Sequence, residues 1–228
     1  MSEPANSGGY LQDVVLPLSA FTLDSGAGLG TTAAGNVYRA AQATNLRGIS
    51  WDAAADGTDI IRCDYTLPSD FHYSVSDVVG TRPMVQMLLR WRLVDLAATS
   101  NTTLNLLANA QWHPAGWTQD STGRVVTEVN GPTALSTLAA NLSVNVGGGA
   151  TPADVADATE EGLRWATYDF TAAMTAAQRK ALTPMTTFQM FFFPSAAIGA
   201  NLRLDITSAI FRYRRHAQPA YRPWRQLA

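Results

Sequence analysis

The feature that most constrains this chain is a period of two in its apolar residues, repeated along most of its length. In residues 58–67, Ile61, Cys63, Tyr65 and Leu67 fall on one side, and Ile60, Arg62, Asp64 and Thr66 on the other. That is the pattern of a strand with one buried face. Residues 83–95 set Val85, Met87, Leu89, Trp91 and Leu93 on one face and project Arg90 and Arg92 together from the opposite one. Residues 102–112 alternate Leu104, Leu106, Ala108, Ala110 and Trp112 against polar neighbours, and residues 136–146 do so with Leu138, Ala140, Leu142, Val144 and Val146. Residues 46–53, 163–170, 186–193 and 202–215 complete a set of eight predicted strands.

Two short helices interrupt the pattern. Thr151-Pro152-Ala153-Asp154 supplies a cap, a first-turn proline and an acid near the positive end of the helix dipole, and Gly162 stops that helix. Thr175 and Gln178 form a capping-box sequence opening a helix over 176–182, which Thr183-Pro184 ends. Neither helix is long enough to cross over between parallel strands, so the sheets are expected to be antiparallel. The predicted fold class is therefore all-β: an antiparallel two-sheet sandwich, a jelly roll in preference to an immunoglobulin-like arrangement, with two short helices and extended terminal arms. A chain of 228 residues can bury about 70% of its surface as one domain, which needs no staple. The single Cys63 excludes an internal disulfide and multi-cysteine zinc sites.

Three regions are expected. Residues 1–45 read as an extended N-terminal arm, because Pro17 confines the extended run 14–23 to an edge or a bulge and the small, glycine-rich residues 24–36 prevent regular structure. Residues 46–215 form the sandwich, and residues 216–228 a basic, aromatic tail. No apolar run approaches the roughly 18 residues of a membrane helix. The first ten residues lack the basic and apolar regions of a signal peptide, so synthesis in the cytoplasm and no membrane partner are expected.

Sites of chemistry are sparse. Gly26, Gly28 and Gly30 are not followed by the amphipathic helix that a phosphate-binding loop requires. His72, His113 and His216 lack metal-ligand spacing, and Gly-x-Ser-x-Gly is absent. Asp154, Asp157, Glu160 and Glu161 are accounted for by the start of a solvated helix. Cys63, alternating with apolar residues, reads as inert core. Trp91, Trp112 and Trp165 read as core, whereas Trp117 reads as a loop residue suited to stacking on a sugar or a protein. Neither an enzymatic activity nor a cofactor or metal is expected.

Charge is more informative. Residues 1–210 carry 11 basic and 18 acidic groups, a net −7, whereas the last eighteen residues carry five arginines and no acid. Arg212, Arg214 and Arg215 end a strand, and Tyr221, Arg222, Trp224 and Arg225 follow in the tail. Arginine interleaved with aromatics is the composition of interface hot spots, so these seven residues are the predicted partner-binding set. Nucleic acid is the poorer fit, because five charges on an acidic body give weak, salt-dependent attachment.

Over residues 46–215, the chain resembles the small jelly-roll decoration, or cement, proteins of tailed-bacteriophage capsids. The likeness includes the run Leu163-Arg164-Trp165-Ala166-Thr167-Tyr168-Asp169-Phe170, the short helix to Leu182, the strand 187–193, the closing strand 202–215 and the low-complexity segment before the sandwich. The resemblance implies a virion component on the capsid exterior, a homo-oligomer with a trimer favoured, seated where major capsid protein subunits meet. It transfers no residue-level site. A fibre or tail module that binds a receptor or carbohydrate is the alternative.

Overall fold

A computed structural model describes residues 10–24, 29, 37–40, 48–52, 55–56, 58–73, 82–95, 104–113, 117–119, 125–128, 136–137, 142–147, 164–199 and 202–216. The strands are β1 (Tyr10–Leu16), β2 (Thr22–Leu23), β3 (Val37–Ala40), β4 (Gly48–Trp51), β5 (Ile61–Thr66), β6 (Val85–Asp95), β7 (Leu104–His113), β8 (Trp117–Gln119), β9 (Val125–Glu128), β10 (Ser136–Thr137), β11 (Leu142–Gly147), β12 (Arg164–Asp169), β13 (Thr187–Pro194) and β14 (Leu202–Arg215). Two helices, α1 (Phe170–Ala173) and α2 (Ala176–Ala181), lie between β12 and β13.

The first sheet runs β12-β6-β14-β4-β3, with β1 also on β14; the second runs β10-β7-β13-β5-β2, with β11 also on β7. All these pairings are antiparallel. The eight strands expected from periodicity contain β4, β5, β6, β7, β11, β12, β13 and β14. In that series the first pairs with the last (β4·β14), the second with the seventh (β5·β13), the third with the sixth (β6·β12) and the fourth with the fifth (β7·β11). A long hairpin paired in this nested way and rolled across two sheets is a jelly roll.

The core lies between the sheets, on the faces that alternation selects. Met87, Leu89, Leu106, Ala108, Phe188, Met190, Phe192, Leu204, Ile206 and Phe211 are buried there. Tyr65 stacks on Phe211 at 4.0 Å between ring centroids, joining the two layers. The buried Tyr168 hydroxyl donates to the Leu106 carbonyl at 3.0 Å, so its polar end is satisfied. Inward residues change parity along β14, from Leu204 and Ile206 to Ala209, Phe211 and Tyr213. A bulge absorbs the change: Ile206 faces Trp91 and Ser208 faces Arg90, leaving Thr207 as the extra residue. Beside it β4 approaches closely, and a Cβ at Gly48 would lie 2.7 Å from the Ile206 carbonyl oxygen, so only glycine fits without movement.

The expected N-terminal arm is corrected over its described residues. β1 and β3 belong to the first sheet and β2 to the second. Pro17 marks the corner between them: β1 ends at Leu16, one 3₁₀ turn spans Leu18–Ala20, and β2 starts at Thr22. Burial of Leu16 and Phe21 fixes this path. The single strand expected over 136–146 is two strands, β10 and β11, which follow one another along the same edge of β7. The capping box is present: the Gln178 amide N–H donates to the Thr175 hydroxyl at 3.2 Å, and the Thr175 amide N–H donates to Gln178 Oε1 at 2.8 Å. α1 was not anticipated; Asp169 caps it by accepting from the Ala172 amide at 2.8 Å. The helix expected over 151–161 and the tail beyond His216 lie outside the described residues.

Candidate functional site

The pairing register lays out the outer face of the first sheet in rows. One row runs Val15, Ile210, Leu88, Thr167 across β1, β14, β6 and β12. The next runs Asp13, Arg212, Gln86, Asp169, and on the other side Ser208, Arg90 and Trp165 follow one another. Val15 is 71% exposed, Trp165 50% and Leu11, opposite Arg214, 46%, while Leu88 and Ile210 are half-buried. The outer face of an antiparallel sandwich is ordinarily polar, and here an apolar stripe crosses four strands of it. Its polar border is ordered. Gln86 Nε2 donates to Asp169 Oδ2 at 2.9 Å, and Arg212 grips Asp13 with two bonds of 2.6 and 2.8 Å.

Trp165, read from the sequence as core, belongs to this stripe. Ala166, Tyr168 and Phe170 take the inward positions of this segment, so Trp165 and Thr167 face outward. Trp91 and Trp112 are buried as expected. Trp117, expected in a loop, has its backbone in β8, paired with β9.

Of the predicted partner-binding residues, Arg212, Arg214 and Arg215 lie at the end of β14; Tyr221, Arg222, Trp224 and Arg225 lie outside the described residues. Arg212 holds β1 to β14, and its hydrogen bonds keep the Asp13 carboxyl below the usual carboxylate range. Arg215 approaches Asp70 at 3.1 Å, donates to Gln12 at 3.3 Å and covers the Tyr10 ring at 4.8 Å. These two arginines therefore fasten β1 and residue 70 to β14.

A second charged group lies further along the same outer face. Asp205, 2% exposed, accepts from Ser50 Oγ at 2.7 Å, Arg92 Nε at 2.9 Å, and Arg203 Nε and Nη2 at 2.9 and 3.2 Å. Sequence reading placed Arg92 on the outer face but missed this carboxylate, which sits opposite both Ser50 and Arg92 in register. The cluster ties β4, β14 and β6 together.

Among the described residues, no group of three or more His, Cys, Asp or Glu is placed to hold a metal ion. No described helix is long and apolar enough to cross a membrane. Asp64 on the second sheet has its carboxyl raised, chiefly by burial, with Arg62 at 3.4 Å and Gln189 at 3.3 Å. The acids at 154, 157, 160 and 161 lie outside the described residues, as do Gly26, Gly28 and Gly30. Burial, reinforced by neighbouring Asp64, pushes the Cys63 thiol up to about 12. In the folded protein at pH 8, Cys63 is expected to ignore an aromatic disulfide reagent and to react stoichiometrically once denaturant is added; rapid labelling without denaturant would contradict its placement.

No family model matches the chain, and no curated protein does. Among solved structures, the xylan-binding module CBM15 is 14% identical and aligns over 92% of this chain and 100% of its own, with a TM-score of 0.44. A non-crystalline-cellulose-specific module, CBM28, is 12% identical over 87% and 89%, with a TM-score of 0.39. A chain of the T13 IBDV viral particle is 10% identical over 91% of this chain and 31% of that one, with a TM-score of 0.28. The jelly-roll assignment rests on the strand order of the protein itself.

Proposed function

We propose that this protein is a structural component of a tailed-phage virion, which decorates the outside of the capsid and ties neighbouring major capsid subunits together, and that it has no enzymatic activity. The observation that carries this reading is the apolar stripe of Leu11, Val15, Leu88, Trp165 and Ile210 with arginine along its border. Cementing needs buried contact area, about 1,600 Å² for a stable interface, on a body that does not deform. A jelly roll whose strands are locked by cross-strand ion pairs is such a body. Weak individual contacts repeated over a lattice, and doubled or tripled within a homo-oligomer, accumulate into firm attachment.

The test is to add the purified chain to shells assembled from the major capsid protein alone and image them. Regular external density in many copies is expected. Density confined to one vertex, or none with the protein left in the supernatant, refutes the reading.

Glycan binding is the second reading. It is favoured by the exposed Trp165 indole. A glycan array discriminates: saturable binding lost in Trp165→Ala would replace the capsid reading.

A further inference from the structure

We propose that His72 and His216 form a two-imidazole site for a divalent transition-metal ion of the zinc, copper and nickel class. These residues are 144 positions apart, and folding brings their Nδ1 atoms to 3.2 Å. Two observations point to chelation. The first is distance: with metal–nitrogen bonds of about 2.05 Å, a 3.2 Å separation corresponds to a nitrogen–metal–nitrogen angle of about 100°, close to tetrahedral. The second is ring placement. An imidazole centroid lies about 1.15 Å behind its nitrogen, so two rings aimed at one tetrahedral ion have centroids about 5.0 Å apart, whereas rings facing each other along a straight N–H···N bond are about 5.5 Å apart. The observed separation is 4.8 Å, with the rings at 72°. The shorter separation shows that the rings do not face each other along a straight line, and a metal ion seated beside the two nitrogens would take the place of the proton that they otherwise share.

The surroundings hold both rings. The His72 amide donates to the Arg214 carbonyl at 2.8 Å, and the His216 amide to the Asp70 carbonyl at 2.9 Å, so each imidazole is anchored through its own backbone. The Tyr73 ring meets the edge of His216 at 5.5 Å. Asp70 is occupied elsewhere: its carboxylate accepts from the Tyr213 hydroxyl at 3.0 Å and faces Arg215 at 3.1 Å. His72 is buried and His216 exposed, so an ion would enter from the His216 side. Imidazole ligands and the Irving–Williams order put Cu²⁺ above Zn²⁺ in affinity. The site joins the end of β14 to the segment after β5, where an ion would pin residue 216 to residue 72.

The full-length protein is titrated with Cu²⁺ and with Zn²⁺, and the Cu²⁺ complex is examined by pulsed electron paramagnetic resonance, which counts bound imidazoles. One Cu²⁺ per chain carrying two imidazoles is expected, with Zn²⁺ competing for the same site. His216→Asn, at an exposed position that leaves the core intact, is expected to reduce the count to one and weaken binding by at least about tenfold. His113→Asn is expected to change neither. A wild-type complex with fewer than two imidazoles, or a two-imidazole signature that survives His216→Asn, overturns the proposal.

Discussion

Replacing Asp205 by alanine is expected to remove about 3–5 kcal/mol of unfolding free energy, the range seen when one partner of a buried ion pair is deleted. The carboxylate accepts four hydrogen bonds, and Arg92, only 4% exposed, has its Nε committed to it. Without Asp205, Arg92 and Arg203 face each other across an empty place on β14, and Ser50 loses its acceptor. Asp13→Ala, which breaks the partly exposed pair with Arg212, is expected to cost under about 1 kcal/mol, because water screens that pair. Urea denaturation of the two variants measures both. A loss for Asp205→Ala no larger than for Asp13→Ala would mean that the cluster does not lock β4, β14 and β6. Converting Asp205 and Arg92 together to leucine and methionine should recover much of the loss, since well-packed apolar replacements of buried ion pairs are often neutral or stabilising.

The jelly roll was legible because strands such as β6, β7 and β12 bury one face, and burial on one face is what a period of two records. The elements that escaped obey weaker rules. β1 sends Gln12 to the side that also carries Val14, so its alternation is blurred, and its place is set by pairing with β14 some 200 residues later. Trp165 departs from the core expected of a strand tryptophan because parity overrides hydrophobicity: Ala166, Tyr168 and Phe170 define the inward side of that segment. The C-terminal arginines were recognisable as unusual, but their use was not. Composition cannot say that Arg212 closes on Asp13 or that Arg215 reaches Asp70 and Tyr10. The same holds for the apolar stripe, whose members come from four separate strands, and for His72 with His216. Each exists only once the register is known.

Placing an acid in that stripe is expected to have the largest functional effect. The double substitution Val15→Asp with Trp165→Asp should lower attachment to shells by at least about a hundredfold. A tryptophan at the centre of an interface commonly contributes 2 kcal/mol or more, and an acid there also leaves an unpaired charge to desolvate. Both residues are at least half exposed, so the melting temperature should stay within a few degrees of the parent's, which separates lost contact from lost fold. Arg212→Ala should do much less, because that guanidinium already spends two hydrogen bonds on Asp13 and offers a partner mainly long-range attraction. Its effect should therefore shrink as salt is raised, while that of the double substitution should not. If instead Arg212→Ala released the protein and the acidified stripe did not, attachment would run through the basic end of the chain, and the stripe would have to be reassigned to contacts between copies of the protein.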